Sequence, residues 1–432
     1  MRPPSHRNIF AGMVFGAAAG VVLQSLGLDR PTVETITSWV RPIGDIFLRM
    51  IFMMVIPLIV SALALGVVEL GNLRKVGAVG LRLLAYTVLV STISVVIGIV
   101  MVSVFRPGAD ISESDRQILV EKYSSQTARI SETGTTATRG IGDILAVIVP
   151  KNPVEDMAKA FDPSYTGGGL LAVMFFTLMI GIAMTTLPAD AVATFRSFLE
   201  GLYQIAMRVI DFGMLLAPFG VAALLFTLTA TFSFGMITTV LQFMLVVLVA
   251  LALHQFVTYA ILLKTLGRMS PAFFFRNILD VMLTAFSTSS SNATLPTALR
   301  VTIERLRVPK DVAHFVLTIG STANQNGTAL YEGVTVLFLA QCFGITLDLG
   351  QQILVVVLAI LGGVGTAGVP GGSLPVIAMI LLTVGVPAEA IGVIYGVDRV
   401  LDMSRTVLNV TGDMTAAVYV GRLEQTLPPS SP

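Results

Sequence analysis

Several stretches of this chain are apolar on every side of the helical turn rather than on one face, and they reach the roughly twenty residues that cross a bilayer. Ile9 to Leu28, Met50 to Val68 and Leu83 to Phe105 each read as a span. Phe212 to Leu263 is long enough for two and carries His254 but no Asp, Glu, Lys or Arg. Between them a fourth span is fragmented around Pro150 and Pro153. The stretch from Pro107 to about Gly140 mixes both charges with many Ser and Thr, which predicts an external loop and a place for disorder.

The last third breaks the pattern. Leu349 to Ala388 is uncharged and long enough for two spans, but its centre reads Gly365-Thr-Ala-Gly-Val-Pro-Gly-Gly-Ser373. Glycines and a proline so densely placed remove helix propensity and backbone donors. Unwound backbone at membrane depth persists only against protein or a wet cavity, so two half-helices meeting at a tip are expected. A second interrupted segment, Val281 to Leu299, holds Ser287-Thr-Ser-Ser-Ser-Asn292 at its middle and then Leu295-Pro296. The glycine-rich segment likewise ends in Leu374-Pro375, and each is followed by one long polar-bearing span. Paired broken segments at matching places in two halves point to a transport site.

The two polar-bearing spans carry the candidate chemistry. In the last, Asp398, Asp402, Arg405, Asn409 and Asp413 are spaced four, three, four and four, which puts them on one stripe of a helix. Ionisable groups at membrane depth face partners or a cavity and mark a substrate or ion path. The preceding span reads Gly320-Ser-Thr-Ala-Asn324-Gln-Asn326-Gly-Thr328 and then Glu332. Gly327 predicts local unwinding there, and Asn324, Thr328 and Glu332 are expected on one face. Freed carbonyls and carboxylates suit a small hard cation. The residues predict a dicarboxylate held by Arg405, an ammonium held by Asp402, and cation sites around Asn324 and Asp413.

Composition supports a multi-pass membrane protein: 54% of the 432 residues are hydrophobic, 12% are charged, and the net charge is +1. Soluble domains carry roughly a quarter charged residues. Arg2 and Arg7 before the first apolar run raise the possibility of a cleaved leader, but the run is read as a retained span. The single cysteine, Cys342, excludes an internal disulfide and a cysteine metal site and reads as core filler. Arg74 and Lys75, then Lys264, Arg268 and Arg276, then Arg300, Arg305, Arg307 and Lys310, and finally Arg422 cluster at alternate span ends. By the positive-inside rule this predicts both termini in the cytoplasm and an even number of spans. His254 reads as a packed neutral histidine. The sequons at Asn292, Asn326 and Asn409 fall inside membrane motifs, and no Walker, zinc-protease or nucleophile-elbow pattern is present, so an enzyme is not expected.

At these motifs the chain resembles the dicarboxylate/amino acid:cation symporter family, the glutamate transporters and their archaeal homologues. The resemblance runs nearly end to end. It includes Ile148-Val-Pro-Lys-Asn-Pro153, Ala217-Pro-Phe-Gly-Val221, Ser289-Ser-Ser-Asn-Ala-Thr-Leu-Pro296, Asn324-Gln-Asn-Gly-Thr328, Gly365-Thr-Ala-Gly-Val-Pro-Gly371 and Asp402-Met-Ser-Arg-Thr-Val-Leu-Asn409. It implies an all-α membrane protein of eight spans plus two re-entrant helical hairpins in inverted repeat, working as a homotrimer in the cell (inner) membrane by an elevator motion. The implied divisions are spans 1 to 3 in 1–106, the external loop in 107–140, spans 4 and 5 in 141–227, and span 6 in 228–268. The first hairpin and span 7 then fill 269–345, the second hairpin and span 8 fill 346–424, and 425–432 is a tail. Spans 1 and 2 form a scaffold with the trimerisation spans 4 and 5, while span 3 joins the hairpins and last spans in a mobile transport unit. By position, Arg405 would take the substrate's side-chain carboxylate and Asp402 its amino group. Asn409, Thr406 and Ser291 would serve the α-carboxylate, with Thr328 and the backbone of Val369 and Gly371 closing the pocket and Ser290 and Ser373 among the substrate-binding residues. A bidentate guanidinium explains Arg rather than Lys.

Departures from the family pattern bear on the coupling ion. Sodium-driven members read Asn-Met-Asp-Gly-Thr where this chain has Asn324-Gln325-Asn326-Gly327-Thr328. Asn326 removes a carboxylate from a third cation site, and Thr87 and Val90 stand where the family offers Tyr and Thr, with Ser91 retained. That site is expected to be lost, since ligand charge sets affinity for hard cations. A second site of Thr322, Val364 and Thr366 is in doubt through Gln325. A first site of Gly320, Asn324, Asn409 and Asp413 is complete. Glu332 matches the residue that carries the proton in proton-coupled relatives. The expectation is therefore symport of an acidic amino acid with H+ and possibly Na+, and with no covalent cofactor. The alternatives are sodium coupling, a C4-dicarboxylate carrier or a substrate-gated anion channel. Archaeal members carry an arginine where Ser289 stands and animal members one at Met403; Arg399, a turn before, is expected to supply that charge.

Overall fold

The computed structural model describes residues 6–75, 78–109, 111–122, 149–160, 169–232, 234–365 and 373–423. Among these every regular element is helical. The first apolar run forms α1 (His6–Ser25), which stops before Gly27, a residue in the left-handed region at φ 62°. The run from Met50 to Val68 is not one helix: α2 (Arg30–Phe52) ends inside it and α3 (Val55–Lys75) begins at Val55. Hydropathy does not reveal α2 because Glu34, Arg41, Asp45 and Arg49 interrupt its apolar positions, although Trp39 stands 81% exposed on it. α4 (Ala78–Phe105) is the third run, extended by a turn at its start.

The segment after α4, expected to be an external loop and a place for disorder, is helical in part. It contains α5 (Glu113–Lys122), started by Ser112, whose hydroxyl accepts the Asp115 amide at 3.1 Å; the remainder of that loop lies outside the described residues. Around the two prolines stands a short helix, α6 (Pro153–Ala158). Asn152 caps it by accepting the Val154 and Glu155 amides, and Pro153 sits in the first turn where no N–H is needed. α7 (Gly169–Thr186), α8 (Ala189–Leu215) and α9 (Ala217–Thr231) follow. α10 (Phe234–Leu253) continues through a π turn at His254–Thr258, α11 (Tyr259–Leu262) and a second π turn at Leu263–Gly267.

The remaining elements are α12 (Pro271–Asn277), α13 (Leu279–Thr288), α14 (Ser291–Glu304), α15 (Lys310–Ala323), α16 (Asn326–Cys342), α17 (Leu349–Gly365), α18 (Leu374–Thr383), a 3-10 turn at Ala388–Val393 and α19 (Tyr395–Leu423). Both interrupted segments are thus helix pairs. α13 and α14 pack on each other across Ser289, a left-handed residue at φ 50°, and Ser290. α17 and α18 pack on each other likewise.

Packing gathers the helices into two groups that meet mainly through α3, which touches α4, α15 and α17. α1 lies along α9 so closely that a side chain at Gly12 or Gly16 would collide with the backbone of Pro218 or Ala222. Small residues let helix backbones approach in this way. α2 packs on α8 and α9, and α3 on α7 and α8. In the second group α16 is the centre: all its residues except Gln341 are buried, and α4, α10, α17, α18 and α19 surround it. α4 shows why these helices need lipid. Tyr86, Ser91, Val95 and Val102 are buried on one side, while Val88, Leu89, Val96, Val100 and Val104 stand exposed on the other. Contiguous apolar surface of that kind is unfavourable in water. The two longest apolar helices, Leu81–Phe105 and Gly235–Gly267, are of membrane-crossing length and composition.

Candidate functional site

α19 is a single uninterrupted helix, so the four-and-three spacing of its polar residues does become one stripe. Asp398, Asp402, Arg405, Asn409 and Asp413 are all buried. Arg405 reaches back one turn and donates from Nε and Nη2 to Asp402 Oδ1, at 3.0 and 2.6 Å. Its Nη1 donates to the hydroxyl of Ser373, at the foot of α18, and its guanidinium lies 4.7 Å from the centre of the Tyr331 ring. The Tyr331 hydroxyl in turn donates to Asp398 Oδ1 at 2.7 Å. Arg399 donates to the other Asp402 oxygen at 3.1 Å. Two carboxyls and two guanidiniums therefore share one buried pocket between α16, α18 and α19. Arg399, rather than a hairpin arginine, brings the second positive charge to Asp402.

The helix before it breaks, though not where the glycine predicts. α15 ends at Ala323 and α16 starts at Asn326, so Asn324 and Gln325 form the break and Gly327 lies inside the next helix. Only Thr328 and Glu332 share a face of α16; Asn324 sits outside it. The break is stabilised because side chains take the backbone groups it frees. The Gly327 amide donates to Asn409 Oδ1 at 2.7 Å, Ser94 donates to the Asn326 carbonyl at 2.8 Å, and Gln325 Nε2 donates to the Ser321 carbonyl at 2.9 Å. Gly327 is needed for a different reason: a Cβ there would stand 2.6 Å from the Arg405 carbonyl oxygen.

Below the break, Asn324 Nδ2 donates to Asp413 Oδ1 at 2.9 Å, and Asn324 Oδ1, buried, has no hydrogen-bond partner among the described residues. Gly320 packs directly on the same carboxylate, leaving no room for a Cβ. Asp413, Asn324 and Gly320 are thus brought together, whereas the Asn409 side chain turns to Gly327, Gln325 and Thr328. Thr322 and Val364 fall in the last turns of α15 and α17, two helices in contact; Thr366, Val369 and Gly371 lie outside the described residues. Asn326 and Ser91 meet, but as partners of each other. Ser91 donates to Asn326 Oδ1 at 2.5 Å, and Asn326 Nδ2 donates to the Tyr259 hydroxyl at 3.1 Å. Thr87 and Val90 are buried nearby, while the neighbouring Tyr86 reaches Thr415 on α19 at 2.7 Å.

The other predicted residues divide. Ser290 spends its hydroxyl as the cap of α14, accepting the Ala293 amide at 3.2 Å, whereas Ser291 is buried with no partner for its hydroxyl among the described residues. Thr406 donates to the Asp402 carbonyl within its own helix at 2.8 Å. Glu332 is wholly buried, and neither carboxyl oxygen has a hydrogen-bond partner among the described residues. It faces α17 at Gly362, whose Cβ position lies 3.2 Å from Glu332 Oε2 and also against Val376 of α18. His254 is buried edge-on to Tyr259 at 4.8 Å between ring centres, a packed residue in a π turn. Tyr331, Asp398 as a Tyr331 acceptor, Tyr259 and Gln325 are the participants sequence reasoning did not assign. Only the excess of buried polar residues in otherwise apolar helices hinted at them.

A helical protein with exposed apolar faces and helices of membrane-crossing length, gathering paired charges, a broken helix and a carboxyl without a partner among the described residues in its interior, has the make-up of a membrane transporter. The sequence profile of the sodium:dicarboxylate symporter family matches residues 6–423, and the chain belongs to that family. It is 34% identical over 418 residues to the proton/sodium-glutamate symport protein of Bacillus subtilis (strain 168), covering 96% of this chain and 92% of that one. It is 31% identical over 422 residues to the proton/glutamate-aspartate symporter of Escherichia coli (strain K12), covering 96% and 92%. A C4-dicarboxylate transport protein of Bacillus subtilis (strain 168) is 28% identical over 418 residues, covering 96% and 93%.

Proposed function

We propose that this protein is a secondary active symporter that imports an acidic amino acid, glutamate or aspartate, together with cations, protons foremost. The observation that carries this reading is the Arg405–Asp402 pair, buried and joined by two hydrogen bonds to one carboxylate oxygen. An acidic amino acid brings a carboxylate for Arg405 and an ammonium for Asp402, so it separates the pair while leaving neither charge alone. A C4-dicarboxylate offers Asp402 nothing, and a neutral amino acid offers Arg405 nothing. Stranding one member of a buried ion pair costs about 3–5 kcal/mol. The names of the two glutamate symporters compared above agree with this choice.

For coupling, Glu332 is the proton carrier: a buried carboxyl with no hydrogen-bond partner among the described residues, placed where α17 and α18 close on α16. Asp413 with Asn324, Gly320 and Asn409 forms a cation site, favoured by the Asn324 oxygen that has no partner among the described residues. The third site is lost, because Ser91, Asn326 and Tyr259 satisfy one another. The second site, with Thr366 and Val364, is subordinate. Ser291, Thr328, Asn409, Thr406, Ser373 and the Val369 and Gly371 backbone complete the substrate pocket.

The reading extends to architecture. Eight spans and two re-entrant hairpins, α13–α14 and α17–α18, lie in the inner cell membrane as a homotrimer with both termini cytoplasmic. The hairpins, α15, α16 and α19 move as one unit past a scaffold of α1–α3 and α7–α9. Denser packing within each group supports it, with α3 as the main link to α15 and α17. No chemical transformation of the substrate belongs to this reading. The test is uptake of labelled glutamate and aspartate into proteoliposomes, with malate or succinate and neutral amino acids as competitors. Acidic amino acids are expected to compete strongly, and dicarboxylates and neutral amino acids weakly. Equal competition by dicarboxylates would move the assignment to a C4-dicarboxylate carrier.

A further inference from the structure

Gln325 occupies the break between α15 and α16 with its side chain 3% exposed. Its carboxamide has one orientation that satisfies every neighbour. Nε2 donates to the Ser321 carbonyl at 2.9 Å, and Oε1 accepts from Asn409 Nδ2 at 2.5 Å and from Thr328 Oγ1 at 3.3 Å. Asn409 Nδ2 also lies 3.1 Å from Thr328 Oγ1, so amide, hydroxyl and carboxamide oxygen form one closed cluster. A flipped carboxamide would set its NH2 against the Asn409 NH2 and its oxygen against a carbonyl.

The resemblance gives Asn409 to the substrate's α-carboxylate and places Thr328 in the same pocket, and in the structure both donate to Gln325 Oε1. Buried donors left without an acceptor cost stability, so something must fill that place when substrate is absent. We propose that Gln325 is a specificity-determining residue whose carboxamide oxygen stands in for the substrate carboxylate on Asn409 and Thr328. Binding is then an exchange of a neutral acceptor for a charged one. Hydrogen bonds to an ionised acceptor are roughly twice as strong as neutral ones, so a carboxylate displaces Gln325 whereas a neutral carbonyl gains little. The displaced side chain stays tied to α15 through Ser321, one residue from Asn324 and its contact with Asp413. The exchange at the substrate pocket is thereby felt at the edge of the candidate cation site. This inference rests on the acidic amino acid reading above.

The test is substrate affinity in Gln325→Met, which keeps the volume but removes the acceptor, and in Gln325→Leu, which removes it with a branched chain. Taking away the resident competitor is worth about one net hydrogen bond, so acidic amino acid affinity is expected to rise roughly threefold to tenfold in both. Loss of a merely structural contact would lower it instead. Gln325→Glu, which puts a fixed carboxylate in the same place, is expected to weaken binding by at least about tenfold through like-charge repulsion. Affinity that is unchanged or weaker in both Met and Leu variants, with wild-type binding intact, overturns the inference and leaves the function reading standing. Absence of acidic amino acid binding in the wild type overturns both. Thermal melting and gel filtration of each detergent-solubilised variant identify any that fail to fold. A variant affinity is then taken from whichever of the three folds, since each carries its own sign.

Discussion

Replacing Arg405 by Lys keeps a positive charge in the pocket and so isolates the contribution of the guanidinium. In the structure that group donates through Nε and Nη2 to Asp402 and through Nη1 to Ser373, and stacks at 4.7 Å on Tyr331. A lysine ammonium on a flexible stem can hold one carboxylate oxygen but cannot present two parallel N–H groups to it. The loss is one charge-assisted hydrogen bond, about 1.5–3 kcal/mol, and part of a buried cation–π contact, about 0.5–1 kcal/mol. Together these amount to about 2–4 kcal/mol, or roughly 30- to 700-fold in affinity at 1.4 kcal/mol per tenfold. Scintillation proximity binding of labelled aspartate to the detergent-solubilised protein would measure it, with neutral amino acids as control ligands. Affinity for acidic substrate within about threefold of wild type would refute the assignment of Arg405 as the side-chain carboxylate ligand.

Three further outcomes follow from the same geometry. Glu332→Gln is expected to abolish proton-gradient-driven accumulation while retaining substrate exchange. If a proton loads with substrate, wild-type affinity falls as pH rises, and the variant flattens that dependence; unchanged dependence would make Glu332 structural. Gly320→Ala places a Cβ 2.5 Å from Asp413 Oδ1 and 2.8 Å from Cγ, so any sodium-dependent rise in melting temperature should be lost by at least half. Asn326→Asp restores a carboxylate beside Ser91 and Tyr259, and is expected to increase sodium stimulation of uptake by about tenfold, since ligand charge governs cation affinity. No change in sodium response would mean that the Tyr259 contact, rather than missing charge, closes that site.

How much was legible in the sequence depends on the range of the interaction. The α19 stripe was legible because 3.6 residues per turn turns Asp398, Asp402, Arg405, Asn409 and Asp413 into a face whatever surrounds them. The interruption between α13 and α14 was legible because a Ser-rich cluster is a poor helix former, and α17 ends at Gly365 where the glycine-rich run begins; 366–372 of that run lie outside the described residues. The break in the seventh long segment was placed at Gly327 but falls at Asn324 and Gln325. It is set there by Asp413 and Asn409, which lie more than eighty residues away and draw those side chains out of helical register. No local signal encodes that pull. α2 was hidden because its charges suppress hydropathy, and the first residues of the run assigned to a span belong to it. Tyr259 and Tyr331 were invisible as participants for the same reason as Gln325: each acts through a partner on another helix.

The account stands on coupled transport of an acidic amino acid, and purified protein in liposomes under separately imposed gradients tests that most directly. Labelled glutamate and aspartate should accumulate against their own gradients when an inward proton gradient is imposed, with sodium adding to the effect through the Asp413 site. Accumulation indifferent to both gradients, or simple equilibration of substrate across the membrane, would contradict it.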